Sequence, residues 1–161
     1  MQVLIVKTSS MGDVVHALPA VSDMLAARAG LEVDWLVEKA FADIPRLHPG
    51  VRRVLPLSWR KWRRRLHDAQ VRGELFALRA QLREVRYDLV LDLQGLVKRA
   101  LWAMPARGAL AGYDRRSARE PVATALYRLR ARVPRELQAV ERNRRLAAAH
   151  VGYAMPTSAP D

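Results

Sequence analysis

Apolar residues follow two alternating rhythms along this chain. Val3-Leu4-Ile5-Val6 is a continuous apolar run that ends at Lys7-Thr8-Ser9-Ser10, and from Asp13 onward Val14, Ala17, Leu18, Val21 and Leu25 recur at the spacing of one helical face. This predicts a strand, a loop and a helix. A second strand is expected over Glu32 to Val37, a short helix over Ala40 to Leu47, and a third strand over Val51 to Leu57 between the breakers Pro49-Gly50 and Pro56. Leu75, Leu78, Leu82 and Val85 then mark a helix that leads through Tyr87-Asp88 into Leu89-Val90-Leu91-Asp92-Leu93, the strongest buried-strand signal, closed by Gln94-Gly95. A helix over Leu96 to Met104, a weaker strand over Ala109 to Gly112, and helical spacing over 118–131 and 137–149 follow. Continuous apolar strands between amphipathic helices indicate an α/β fold, a parallel Rossmann-like sheet with helices on both faces. In such sheets functional groups sit in loops at the carboxyl ends of strands.

The 161 residues, half of them hydrophobic, suffice for one sizeable core and not for two ordinary domains. One domain is expected over residues 1–155, with 156–161 as a linker or a truncated end. No run approaches the roughly 18 apolar residues of a membrane span. Met1 to Lys7 lacks the features of a signal peptide, so a cytoplasmic location is expected. Cysteine is absent, which removes thiolate chemistry, and His16, His48, His67 and His150 are too scattered for a metal motif, so no metal is expected.

The net charge of +12 attracts phosphates, nucleic acids or anionic lipid. Residues 46–86 hold 12 basic and 3 acidic side chains and residues 98–145 hold 13 and 4, so two segments carry the excess. Because 24 of the 28 basic residues are Arg, compositional bias accounts for many of them as solvated surface. The densest cluster, Trp59-Arg60-Lys61-Trp62-Arg63-Arg64-Arg65, follows the third strand; Arg forks there can pair with carboxylates or phosphates, and Trp rings can sit at a lipid interface. Nucleic acid is not an expected partner, since no recognition motif accompanies the charge. Asp92, inside an apolar strand, needs a backbone or Arg partner, and His16 is expected to pack or hydrogen-bond.

The loop Lys7-Thr8-Ser9-Ser10-Met11-Gly12-Asp13 lies where an open α/β sheet binds ligands, yet it matches neither GxGxxG nor GxxxxGK[ST]. Ser10 and Asp13 have the spacing of a capping box. Asp13 can equally be a general base at the loop tip, so both roles stand open. Lys98, just past Gln94-Gly95, is a candidate contact at the same sheet edge.

Six collinear segments resemble the lipopolysaccharide heptosyltransferase I family of glycosyltransferase family 9: VLIVKTSSMGDVVHALPA at 3–20, VDWLVEKAFADIP at 33–45, RKWRRR at 60–65, YDLVLDLQGLVKRA at 87–100, SAREP at 117–121 and AVERNR at 139–144. Gln138 stands where that family commonly has a histidine. The resemblance implies a GT-B fold of two Rossmann-like domains, of which this chain is the N-terminal, acceptor-binding one and the C-terminal donor domain is absent. It implies an inverting transfer of heptose from ADP-L-glycero-D-manno-heptose to the Kdo sugar of Kdo-lipid A in lipopolysaccharide inner-core biosynthesis. No cofactor is implied, and ADP-heptose would bind the other domain. Carried over, Asp13 is the base that deprotonates the acceptor, and Gly12 lets the acceptor come close. The acceptor-binding set is Ser9, Ser10, Gly12, Arg60, Lys61, Arg63, Arg64, Lys98 and Arg119. A peripheral position on the cytoplasmic face of the inner membrane is implied, with its anionic surface as a partner. The alternative is a non-catalytic remnant that binds anionic glycolipid.

Overall fold

Four consecutive residues with no solvent exposure, Val3 to Val6, form the heart of strand β1 (Gln2–Val6). The computed structural model describes residues 1–157. It places β1 among β2 (Glu32–Glu38), β3 (Val51–Leu57), β4 (Arg86–Asp92), β5 (Arg107–Tyr113) and β6 (Leu129–Ala131). The strand order is β3-β2-β1-β4-β5-β6 and every pairing is parallel. Parallel strands are covered on both faces, which is why β1 and β4 read as unbroken apolar runs. The order reverses between β1 and β4, so the crevice at their carboxyl ends is the ligand position of this topology.

Alternate residues of each strand feed two cores. Val3, Ile5, Trp35 and Leu91 face α1 (Met11–Val15), α2 (Leu18–Ala27), α3 (Asp43–Arg46) and α7 (Ala139–Val151). Leu4, Val6, Leu36 and Val90 face α4 (Trp59–Trp62), α5 (Ala69–Glu84) and α6 (Val97–Ala103). The expected parallel sheet with helices on both faces is therefore present. Buried charges are paired: Asp34 in β2 accepts from Arg52, Arg53 and the Tyr87 hydroxyl, and Asp23 of α2 meets Arg144 of α7 at 2.6 Å. An unpaired charge in either place would cost about 3–5 kcal/mol.

Two expected helices differ. The helix beginning near Asp13 breaks at His16-Ala17, because Pro19 occupies the first turn of α2, lacks an N–H, and would collide with the carbonyl four residues earlier in a continuous helix. Residues 118–131 hold only a 3-10 turn over Pro121–Leu126 and then β6, where a helix was expected. Tertiary bonds decide this. Tyr127 donates its hydroxyl to Asp92 at 2.6 Å and lays its ring on Gly112, where a Cβ would come within 2.6 Å of the ring, so the chain must leave the helix to reach both. Of the tail expected at 156–161, residues 158–161 lie outside the described residues.

Candidate functional site

The loop that leaves β1 is clasped from the neighbouring strand by one side chain. Gln94, past the end of β4, accepts from the Thr8 amide at 3.1 Å through Oε1 and donates to the Ser9 carbonyl at 2.7 Å through Nε2. The Trp35 indole donates to the Lys7 carbonyl, Arg99 donates to the Ser9 hydroxyl, and the Ser9–Ser10 peptide is cis. From α7, Asn143 donates to the His16 carbonyl at 2.9 Å. The His16 ring itself is exposed, so its part is played by the backbone and not by packing.

Held in this way, the loop borders a cavity of about 200 Å³ at the β1–β4 crevice, lined among others by Lys7, Asp13, Gln94, Tyr113, Arg119 and Arg142. Asp13 is half-buried. Its Oδ2 accepts from the Ser10 amide at 3.0 Å and the Ser10 hydroxyl at 3.2 Å, so the capping role is real, and the same carboxylate also lines the cavity. Burial works against its charge. The Ser10 amide, the Lys7 ammonium and the Arg119 guanidinium together outweigh burial and hold the carboxyl below its usual range.

Lys7 is 6% exposed and donates to the Leu93 carbonyl at 2.8 Å. Burial lowers it from its ordinary 10.5 to about 8, against the attraction of Asp13 and Asp92. Arg142 stacks over the Tyr113 ring at 4.8 Å and donates to the Ser117 carbonyl, while its buried Nε has no partner among the described residues. Gly95, at φ +68°, sits where a Cβ would come within 3.3 Å of the Arg119 amide, so glycine lets the 117–120 loop close over the crevice. Burial also pushes the Tyr113 hydroxyl up to about 12, so it remains a neutral donor. The result is a half-buried carboxylate and three cations around one small polar space. Among the described residues no group of three or more His, Cys, Asp or Glu side chains could hold a metal.

Lys7 gives the site a pH signature. Its folded value lies below its unfolded one, so burial disfavours the charged form and stability rises with pH between about 8 and 10.5, where only the unfolded chain keeps the proton. Over that window urea unfolding should show the native chain gaining about 3 kcal/mol relative to Lys7→Met. Parallel curves would show that Lys7 keeps its proton throughout.

Of the candidate site residues, Asp13 and Arg119 line the same cavity. Ser9 and Ser10 lie beside the cavity with their hydroxyls already engaged by Arg99 and Asp13. Gly12 is exposed, and a Cβ there would find nothing nearer than His16 Cε1 at 4.0 Å, so packing within the chain does not require glycine. Lys98 is exposed and outside the cavity lining, as are the five cations of the 59–65 cluster, whose helix α4 packs against the opposite sheet face. Trp59 and Trp62 do not form the lipid-facing pair expected. Their rings pack on Trp102 at 5.3 and 5.9 Å, and Trp62 is buried with its indole donating to Glu74 at 2.6 Å. Lys61 pairs with Glu74, and Arg60 lies over the Phe41 ring. Arg63 and Arg64 are exposed without side-chain partners among the described residues.

Sequence reasoning missed Lys7, Arg142 and Asn143. A lysine ending an all-apolar strand was the available sign for Lys7. For the other two the sign was the 139–144 segment, which was read as a helix and as one of the family-resembling segments with no role given to either residue. Asp92 takes backbone partners, one of the two kinds expected, in the Gln94 and Gly95 amides, and adds the Tyr127 hydroxyl.

A family model described as glycosyltransferase family 9 (heptosyltransferase) matches residues 75–161. Lipopolysaccharide heptosyltransferase 1 of Pseudomonas aeruginosa is 47% identical over 162 residues, covering 100% of this chain and 46% of that protein. The Escherichia coli heptosyltransferase WaaC with ADP superposes with a TM-score of 0.98 at 44% identity, over 100% of this chain and 51% of the other. The same enzyme with ADP-2-deoxy-2-fluoro heptose superposes with a TM-score of 0.96. This chain thus spans about half the length of the relatives it matches.

Proposed function

The chain belongs to glycosyltransferase family 9, the heptosyltransferases, and from that membership we propose that it is the acceptor-binding half of an inverting enzyme that moves heptose from ADP-heptose to the Kdo of Kdo-lipid A in building the lipopolysaccharide inner core. One observation carries this: a half-buried carboxylate, Asp13, shares a small cavity at the sheet's switch point with Lys7, Arg119 and Arg142. Kdo brings a carboxylate that this ring of cations can hold, through Arg forks in two-point contact. Its hydroxyl then lies against Asp13, with the open space at Gly12 allowing close approach.

In the transfer, the acceptor oxygen forms a bond to the anomeric carbon as the bond from that carbon to the ADP oxygen breaks, from the opposite side, so configuration inverts. The acceptor proton passes to Asp13. A carboxylate held below its usual range is a weak base, and it suffices because the proton leaves late, once the attacking oxygen has become acidic. ADP-heptose is bound, in this proposal, by the part of the relatives' length that this chain does not match. The test is a hybrid of this chain with that part of the Escherichia coli relative, assayed for heptose transfer to Kdo-lipid A. Asp13-dependent transfer supports the proposal. Acceptor binding by a folded hybrid that never transfers makes the chain a glycolipid-binding remnant.

The acceptor is a lipid, and a peripheral position at an anionic membrane face in the cytoplasm is part of the same proposal. Among the described residues no helix is long and apolar enough to cross a membrane. Arg63, Arg64 and Arg65 are exposed at the carboxyl end of β3, the same end of the sheet as Asp13. Each basic residue near an anionic surface contributes roughly 1 kcal/mol. The double reversal Arg63→Glu/Arg64→Glu is therefore expected to weaken sedimentation with phosphatidylglycerol vesicles by at least about 30-fold. Unchanged sedimentation would make the cluster ordinary solvated surface.

A further inference from the structure

A second group of cations lies at the opposite end of the sheet. Arg86 opens β4, Arg107 opens β5, and Arg128 immediately precedes β6, so the amino ends of three adjacent strands each carry an arginine. Arg86 and Arg107 are direct partners in the ladder, and the Arg128 amide donates a hydrogen bond at 2.8 Å to the carbonyl of Leu110, three residues along β5 from Arg107. All three are exposed and line one open cavity of about 630 Å³. Its floor is shaped to stay bare. Leu89 pairs with Ala109, so Tyr87 and Asp88 together face Gly108 in a bulge, and a Cβ on residue 108 would come within 2.7 Å of the Tyr87 carbonyl oxygen.

The cavity carries three guanidinium groups against a single carboxylate, so positive charge is in excess. Its one carboxylate, Asp88, accepts from the Gln2 amide at 2.8 Å, and among the described residues none of the three arginines makes an ion pair or a side-chain hydrogen bond. Arg46, Arg52, Arg53, Arg144 and Arg145, by contrast, each meet a carboxylate. Like charges on facing ladder positions repel and destabilise the sheet. Solvated arginines placed only by composition have no reason to line up in register around a glycine floor. A tetrahedral oxyanion relieves the repulsion, because its oxygens can accept from several guanidinium forks at once.

We infer that Arg86, Arg107 and Arg128 form an anion site for a phosphate ester at the amino end of the sheet, away from the Asp13 cavity and independent of the transferase proposal. The space accommodates a pyrophosphate or a phosphorylated headgroup. The probe is inorganic pyrophosphate, titrated calorimetrically at low salt into the 161-residue chain, Arg107→Glu/Arg128→Glu and Arg63→Glu/Arg64→Glu. Saturable binding is expected in the native chain and in the 63/64 variant, with at least a tenfold loss in the 107/128 variant. Arg107→Gln/Arg128→Gln, checked for an unchanged circular dichroism spectrum, should fall between. Absence of saturable binding, binding unchanged in the 107/128 variant, or loss that follows positions 63 and 64 overturns the site. Phosphatidic acid vesicles separate the sources. With the 63/64 cluster also reversed, so that it no longer holds vesicles, vesicle binding lost together with pyrophosphate binding on adding the 107/128 changes assigns a lipid phosphate, and vesicle binding unaltered by those changes while pyrophosphate binding is lost assigns a soluble phosphate ester.

Discussion

Asp13→Asn in the hybrid enzyme is expected to lower turnover about 10³-fold, the usual scale for removing a general base, while acceptor affinity changes less than about threefold. Asparagine is the informative replacement because Asp13 has two jobs. Its carboxamide oxygen can still accept from the Ser10 amide, so the loop stays capped, whereas it cannot take a proton. Asp13→Ala removes both functions and should add a loss of loop stability to the same loss of turnover. Near-normal turnover in the asparagine variant would leave Asp13 with the cap alone. The pH dependence follows from the same geometry. Burial opposes the charge on Asp13, but the Ser10 amide and Lys7 overcome it, so the base form persists below the ordinary carboxylate range and the rate should not fall as pH drops from 7 to 5. Above about 8 Lys7 gives up its charge, and kcat/KM for the anionic acceptor should decline there.

Asp92→Ala is expected to cost about 3 kcal/mol in urea unfolding, a large part of the 5–15 kcal/mol that holds a domain together. Asp92 is fully buried and takes the Gln94 amide at 2.7 Å, the Gly95 amide at 3.3 Å and the Tyr127 hydroxyl at 2.6 Å. Burial pushes its carboxyl up, and Tyr127 and the two amides resist that push. Alanine strands all three donors away from water. Asp92→Asn keeps an acceptor oxygen for the amides, and the tyrosine hydroxyl can turn to accept, so less than about 1 kcal/mol should be lost. If alanine is as mild as asparagine, the turn after β4 does not depend on these bonds.

The sheet was legible because its strands are buried on both faces, and burial writes itself as Val-Leu-Ile-Val and Leu-Val-Leu. Asp13 and Arg119 were legible through motif resemblance. What stayed hidden depends on contacts between distant segments. The 118–131 segment has helical spacing, and only Asp92 and Gly112, 35 and 15 residues before Tyr127, say why it ends as a strand. Trp59 and Trp62 among five cations suggest a lipid interface until Trp102 and Glu74 turn out to occupy both rings. Lys7 reads as the polar end of a strand, and its burial follows only from the closure of Leu93, Tyr113 and α7 around it.

Gln94 has a consequence for selectivity. A carboxamide has one donating and one accepting end, so its grip on Thr8 and Ser9 has a direction, and a carboxylate in its place would repel the Ser9 carbonyl. Widening the crevice means breaking both bonds at once. Under the transferase proposal the mouth beside Asp13 is thereby set before a sugar arrives, and discrimination there is expected to reject shapes that do not fit a fixed aperture instead of moulding to each newcomer.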